Sequence, residues 1–155
     1  MSWATAESSP TERTVGSAYN VPIIGPVSWS IRIEIHELRF SVPFHIARPE
    51  ETEAFRTVAL ELEREGACGI GECYPLAYYG ETVETVQAVL PRLARALDAL
   101  GPMPDERSAM LAWLERSTDL MTQAIGGHGA AKAGLDLALH DLACLLYTSD
   151  AADEL

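Results

Sequence analysis

One stretch constrains this chain more than any other: GAAKAGLDLALHDLA, from Gly129 to Ala143. Ala131, Leu135, Ala138, Leu139 and Leu142 recur at three- and four-residue steps, which lays them along one stripe of a helix. Ala and Leu are strong helix formers and outweigh Gly134, which costs about 1 kcal/mol relative to Ala. A stripe this apolar has to be covered. The rest of the chain is therefore expected to supply a small sheet and two more helices gathered around this one.

The sheet is legible in alternation. Trp29, Ile31, Ile33 and Ile35 alternate with Ser30, Arg32, Glu34 and His36, the pattern of a half-buried strand. The apolar phase then moves to Leu38 and Phe40, which predicts a bulge or twist near Glu37. Ser41 to Glu51 carries two prolines and reads as a loop. Val58, Leu60 and Leu62 define a second strand, and Gly69 to Tyr74 a third. Connections this short join antiparallel neighbours. Gly69 and Gly71 share one face of the third strand and leave room there for a close backbone approach.

Pro75 to Glu81 reads as a second loop. A helix follows Thr82, its N-cap, with Val83, Val86, Leu90, Leu93 and Leu97 facing inward, Glu84 in its first turn and Pro91 expected to kink it. Gly101 to Pro104 ends it. Asp105 is the expected cap of a second helix carrying Met110, Leu111, Trp113 and Leu114 and ending near Ser117. Ile125 to Gly127 turns into the third helix. The order β-β-β-α-α-α is an α+β sandwich, a three-stranded antiparallel meander with its helices on one sheet face. Met1 to Val27, rich in Ser, Thr, Pro, Gly and Ala, reads as a loose N-terminal extension with a short apolar anchor at Val21 to Ile24.

Two segments carry a resemblance. AKAGLDLALHDLA (131–143) resembles the closing helix of the N-terminal capping domain of the enolase superfamily, in its mandelate racemase and muconate lactonising branch. GIGECYPLAYYGET (69–82) resembles the same branch, and within it the dipeptide epimerases. The resemblance runs from about Ser30 to Ala143 and implies a domain over 28–143. That family's domain begins near Trp29, so the extension is consistent with a start codon set too far upstream. From Cys144 to Glu154 the chain instead resembles the translated read-through of a sequencing-library adapter. Residues 144–155 are accordingly expected to be a non-native tail, although Leu145 and Leu146 happen to prolong the apolar stripe.

The resemblance also implies a division of labour. In the family, a (β/α) barrel holds Mg²⁺ on three carboxylates and uses Lys or His bases to remove and return a proton beside a substrate carboxylate. Lys132 is the single lysine here and lacks the second basic residue of the family's Lys-x-Lys pattern. The 155 residues are thus expected to be a lid without its catalytic barrel, inactive alone, with a dipeptide or another carboxylate as the parent's small-molecule substrate. Muconate cycloisomerase-like or o-succinylbenzoate synthase-like chemistry in the parent stays open, as does a stand-alone α+β binding module.

The capping domain's contribution would be its two loops. In Ser41 to Glu51 the resemblance points to Phe44, Ile46 and Arg48, where a guanidinium fork suits an acidic dipeptide side chain. A solvated Arg48 beside Glu50 and Glu51 is the other reading. Tyr74, Tyr78 and Tyr79 flank the second loop, either walling a pocket with their hydroxyls available to bond or packing the loop onto the helices. Asp136 and His140, four apart, read as a helix-face hydrogen bond rather than a metal or acid-base pair. His45 and His128 have no triad around them.

Charge and cysteines narrow the field further. With 11 basic and 23 acidic residues, the net charge of −12 gives no general attraction for nucleic acid or an anionic membrane. Cys68, Cys73 and Cys144 make no CxxC pair and no zinc-ligand spacing, which fits thiols in a reducing compartment. The N-terminus shows no charged n-region followed by an apolar h-region, and no run of 18 apolar residues occurs, so the cytoplasm is the expected location.

Overall fold

The computed structural model describes residues 14–15, 19–22, 30–39, 54–64 and 66–153, with side chains for 30–39, 54–64 and 66–147. Strands β1 (Thr14–Val15), β2 (Tyr19–Pro22), β3 (Ser30–Arg39), β4 (Ala54–Arg64) and β5 (Ala67–Cys73) are followed by helices α1 (Val83–Leu97), α2 (Arg107–Ala124) and α3 (Gly129–Asp153). β3, β4 and β5 form the expected antiparallel meander, and the three helices follow it, an α+β arrangement.

The sheet's inner face is set by strict alternation. Ile31, Ile33 and Ile35 of β3 pair with Leu62, Leu60 and Val58 of β4, and all six are buried. On β5 the corresponding positions are Gly69, Gly71 and Cys73. Without side chains at 69 and 71, α3 lies directly on the strand backbone, and its stripe of Ala131, Leu135, Ala138, Leu139 and Leu142 is buried there. Val83, Val86, Leu90, Leu93 and Leu97 of α1 close the same core, with Met110, Trp113, Leu114 and Met121 of α2. Burial of this kind stabilises by about 25 cal/mol for each Å² of apolar surface removed from water.

Several local expectations are corrected. No bulge interrupts β3: one register runs from Ser30↔Glu63 through to Arg39↔Ala54. The change of phase is a change of which face is covered. Beyond Ile35 the inner positions Glu37, Arg39 and Arg56 are exposed, while Leu38, Phe55 and Thr57 on the outer face are half-buried or buried. The N-terminal stretch expected to be loose contains β1 and β2, both antiparallel to β3 on the edge opposite β4. A strand edge offers unpaired N–H and C=O groups to any chain that passes, whatever its periodicity, and a proline is tolerated there. Val21 of the expected anchor lies in β2; residues 23–24 lie outside the described residues.

The helix ends also move. Glu106, not Asp105, caps α2, its carboxylate accepting from the Ser108 and Ala109 N–H groups at 2.9 Å each. α2 runs to Ala124 rather than stopping near Ser117, because Met121 buries a further turn and the Thr118 and Thr122 hydroxyls return to the carbonyls four residues back. α3 continues without a break past Ala143 to Asp153, with Leu146 half-buried against the core and the Arg107 guanidinium 5.6 Å over the Tyr147 ring. No helix among the described residues is long and apolar enough to cross a membrane.

Candidate functional site

Both loops singled out in the sequence leave the sheet at one end. The chain quits β3 at Arg39 and re-enters β4 at Ala54, its register partner. β5 ends at Cys73, opposite Val58, four residues into β4 from the same end. Antiparallel pairing therefore sets Arg39, Ala54 and Cys73, from which the two connections depart, at the same end of the sheet. Phe44, Ile46, Arg48 and His45 belong to 40–53 and lie outside the described residues.

The second connection is built as a closed turn. Residues Ala77–Tyr79 form one 3₁₀ turn, in which the Tyr79 and Glu81 N–H groups donate to the Leu76 carbonyl at 2.9 and 3.2 Å and the Gly80 N–H to Ala77 at 2.9 Å. Gly80 has φ of 72°, a left-handed conformation that favours glycine and lets the chain reverse into α1. Thr82 then caps α1 as expected, in a reciprocal box with Thr85.

The three tyrosines divide into two contacts. The Tyr74 ring stands edge-on to Phe55 of β4, with centroids 5.1 Å apart. Tyr78 and Tyr79 stand edge-on to each other at 5.0 Å and are 68% and 70% exposed. Most of the surface of both side chains is therefore exposed. The same end carries charge. Arg56 reaches Glu84 at 3.1 Å, and Glu84's carboxyl lies below its ordinary range because its own backbone N–H, the Thr82 hydroxyl and Arg56 all favour the anion.

One residue of the turn was not singled out from the sequence. Glu81 accepts the N–H groups of Gly129 at 2.6 Å and Ala130 at 2.9 Å, the first donors of α3. Those donors lack intrahelical partners, and a carboxylate suits the positive end of the helix. An acid directly before Thr82, the N-cap of α1, gives no local sign that it serves a helix starting 48 residues further on. Beside it, burial pushes the Cys73 thiol up to about 12, with the Glu72 and Glu81 charges acting in the same direction.

The remaining polar candidates are used within the fold. His140 Nδ1 lies 2.9 Å from the Asp136 carbonyl, the expected hydrogen bond along the helix, while the Asp136 carboxylate accepts from the Thr118 hydroxyl at 2.8 Å. Lys132 donates to the Ile125 carbonyl at 2.7 Å and ties off the turn before α3. His128 occupies that turn at φ 54°. Among the described residues no three His, Cys, Asp or Glu side chains are placed to hold a metal ion.

With this geometry established, comparison with known proteins is specific. The family model described as mandelate racemase / muconate lactonizing enzyme, N-terminal domain, matches residues 30–147. The chain belongs to this family. It is 37% identical over 115 residues to the L-Ala-D/L-Glu epimerase of Escherichia coli (strain K12), a match that takes in 72% of this chain and 29% of that protein. A solved L-Ala-D/L-Glu epimerase superposes with a TM-score of 0.50 at 27% identity, over 74% of this chain and 29% of its own. An enolase family member from Agrobacterium tumefaciens, described as homologous to dipeptide epimerases and solved with sodium and L-Ala-L-Glu, shares the fold at a TM-score of 0.57 and 24% identity, over 81% of this chain and 33% of its own. The chain thus spans about a third or less of the relatives it matches, and in this family member the three strands and three helices are the N-terminal domain.

Proposed function

We propose that residues 28–143 are the substrate-selecting lid of a dipeptide epimerase, an isomerase whose catalytic centre lies in a domain outside this chain. The observation that supports it most is the 37% identity to an L-Ala-D/L-Glu epimerase over 115 residues. The parent reaction would be metal-assisted removal of a proton alpha to a carboxylate, followed by its return on the other face. The described residues of this chain do not offer a ligand set for Mg²⁺, so no step of that chemistry is assigned to them.

The lid's task is to exclude water and recognise the part of the substrate distant from the reacting carbon. In this reading Arg48 pairs with the acidic side chain of the dipeptide, Phe44 and Ile46 line the apolar side, and Tyr74, Tyr78 and Tyr79 wall the opposite one. Exclusion of water strengthens the Arg48 pairing. The geometric support is that both connections spring from one end of the sheet.

The test is made on the complete enzyme that carries this domain. L-Ala-L-Glu incubated in D₂O should acquire deuterium at the glutamate α-carbon, whereas the 155-residue chain alone should leave it unlabelled. Arg48→Ala should lower kcat/KM for acidic over neutral dipeptides by roughly 30-fold, about 2 kcal/mol. Unchanged discrimination removes Arg48 from the site, and turnover by the isolated chain overturns the lid reading.

A further inference from the structure

The tyrosine turn hangs between two supports, and both reach α3. Before the turn, Cys73 packs its sulfur against Gly134, so closely that a Cβ on Gly134 would overlap it. After the turn, the Glu81 carboxylate spans the Gly129 and Ala130 N–H groups. Between these supports lie the Leu76 and Ala77 carbonyls that close the turn, and the Tyr78–Tyr79 pair that projects from it. The turn buries none of its own side chains. Its backbone bonds alone are worth little net free energy, since water competes for each of them. The pair at Glu81 is charge-assisted, a stronger class of hydrogen bond than the neutral ones of the turn.

We infer that Glu81 is a positioning residue: by clamping the turn to the N-terminus of α3, it fixes the orientation in which Tyr78 and Tyr79 face the substrate. This rests on the lid reading given above. The clamp touches no substrate atom. Its effect would pass through the backbone of residues 79–81, whose N–H groups close the turn on the Leu76 and Ala77 carbonyls next to the clamped residue. Pre-orienting two aromatic side chains removes an ordering cost that binding would otherwise have to meet. Loss of Glu81 should therefore weaken substrate binding and leave the chemical step alone.

Two measurements on Glu81→Ala and Glu81→Gln decide it. In the 155-residue chain, amide exchange followed by NMR should quicken at least tenfold at Gly129 and Ala130, and also at Tyr79 and Gly80, in Glu81→Ala, while Leu60 and Leu62 of β4 stay protected. Glu81→Gln keeps one acceptor oxygen and should fall between Glu81→Ala and the parent. If Gly129 and Ala130 are released but Tyr79 and Gly80 exchange as before, Glu81 is only a helix cap and the inference fails. In the complete enzyme, Glu81→Ala should raise KM for L-Ala-L-Glu at least fivefold with kcat within twofold, and Glu81→Gln should recover part of the loss. An unchanged KM beside a loosened turn overturns the inference. Absence of dipeptide turnover in the unsubstituted enzyme instead overturns the function proposed above, and the exchange measurement then still decides the clamp.

Discussion

Gly71 of β5 faces the Gly134 carbonyl of α3 so closely that a Cβ built on Gly71 would overlap that oxygen and stand 2.8 Å from the Ala138 nitrogen. Gly134 in turn lies against the neighbouring residues of the strand, since a Cβ on it would overlap the Cys73 sulfur and lie 3.1 Å from the Cys73 nitrogen. Helix and strand meet here backbone to backbone. That contact sets how α3 lies on the sheet and so where its N-terminus meets Glu81.

Gly71→Ala should accordingly destabilise by about 1–3 kcal/mol, the range for overpacking, because the atom in the way is a helical carbonyl and not a movable side-chain tip. Gly134→Ala should cost less than its contact alone suggests, since Ala gains about 1 kcal/mol of helix propensity. Both substitutions push α3 and β5 apart at adjacent points of one seam, so the double variant should depart from additivity. Urea denaturation of the four chains measures all three terms. A Gly71→Ala chain as stable as the parent would mean that α3 does not lie on β5 as described.

Much of this architecture was readable in advance, for identifiable reasons. The stripe on α3, the alternation of Ile31, Ile33 and Ile35, and the paired glycines of β5 are local patterns that point the same way as the packing. Two corrected expectations and one residue not singled out share a cause. The supposed bulge at Glu37 was a change in which sheet face is covered, β1 and β2 follow the open edge of β3, and Glu81 caps a helix 48 residues away. Each depends on what lies across the fold, and periodicity carries no such information. The tyrosines drew notice by composition alone, as aromatic residues in a Gly- and Pro-containing turn.

The α2 cap supplies a pH-dependent prediction. The Glu106 carboxyl is held below its ordinary range by the Ser108 hydroxyl first, then by the Ser108 and Ala109 N–H groups. The folded chain therefore binds that proton less readily than the unfolded chain. The contribution is complete above the unfolded value, about 4.3, and is lost as pH falls through the lower folded one. Glu106→Gln removes the charge and keeps the shape. Its Tm should lie below that of the parent at pH 7, and the gap should close towards pH 3. A gap that persists unchanged in acid would show that the charge is not what caps the helix.

Cys73 gives a second titration with the opposite sign. Burial raises its thiol to about 12, so the folded chain holds this proton more tightly than the unfolded chain does. Stability from this group is complete below about 8.5, the unfolded value, and declines as pH climbs towards the folded one. At pH 8 iodoacetamide should modify exposed Cys144 readily, half-buried Cys68 more slowly and Cys73 only after denaturation, as peptide mass spectrometry would show. Native labelling of Cys73 at the rate of Cys144 would place it outside the α3–β5 contact.

The exposed tyrosines separate stability from selection. Tyr78 and Tyr79 are 68% and 70% exposed, and their rings stand edge-on to each other. Replacing either by Ala should cost the fold no more than about 0.5–1.5 kcal/mol, the value of one edge-on aromatic pair. If the pair walls the substrate site, the same substitutions in the complete enzyme should raise KM for L-Ala-L-Glu while the Tm stays within a few degrees of the parent. Phe55→Ala makes the contrast, because it removes the half-buried partner of Tyr74 and should lower Tm measurably. The two kinds of ring thus predict opposite balances of Tm and KM. A pair whose removal alters neither binding nor turnover would remove Tyr78 and Tyr79 from the proposed substrate wall.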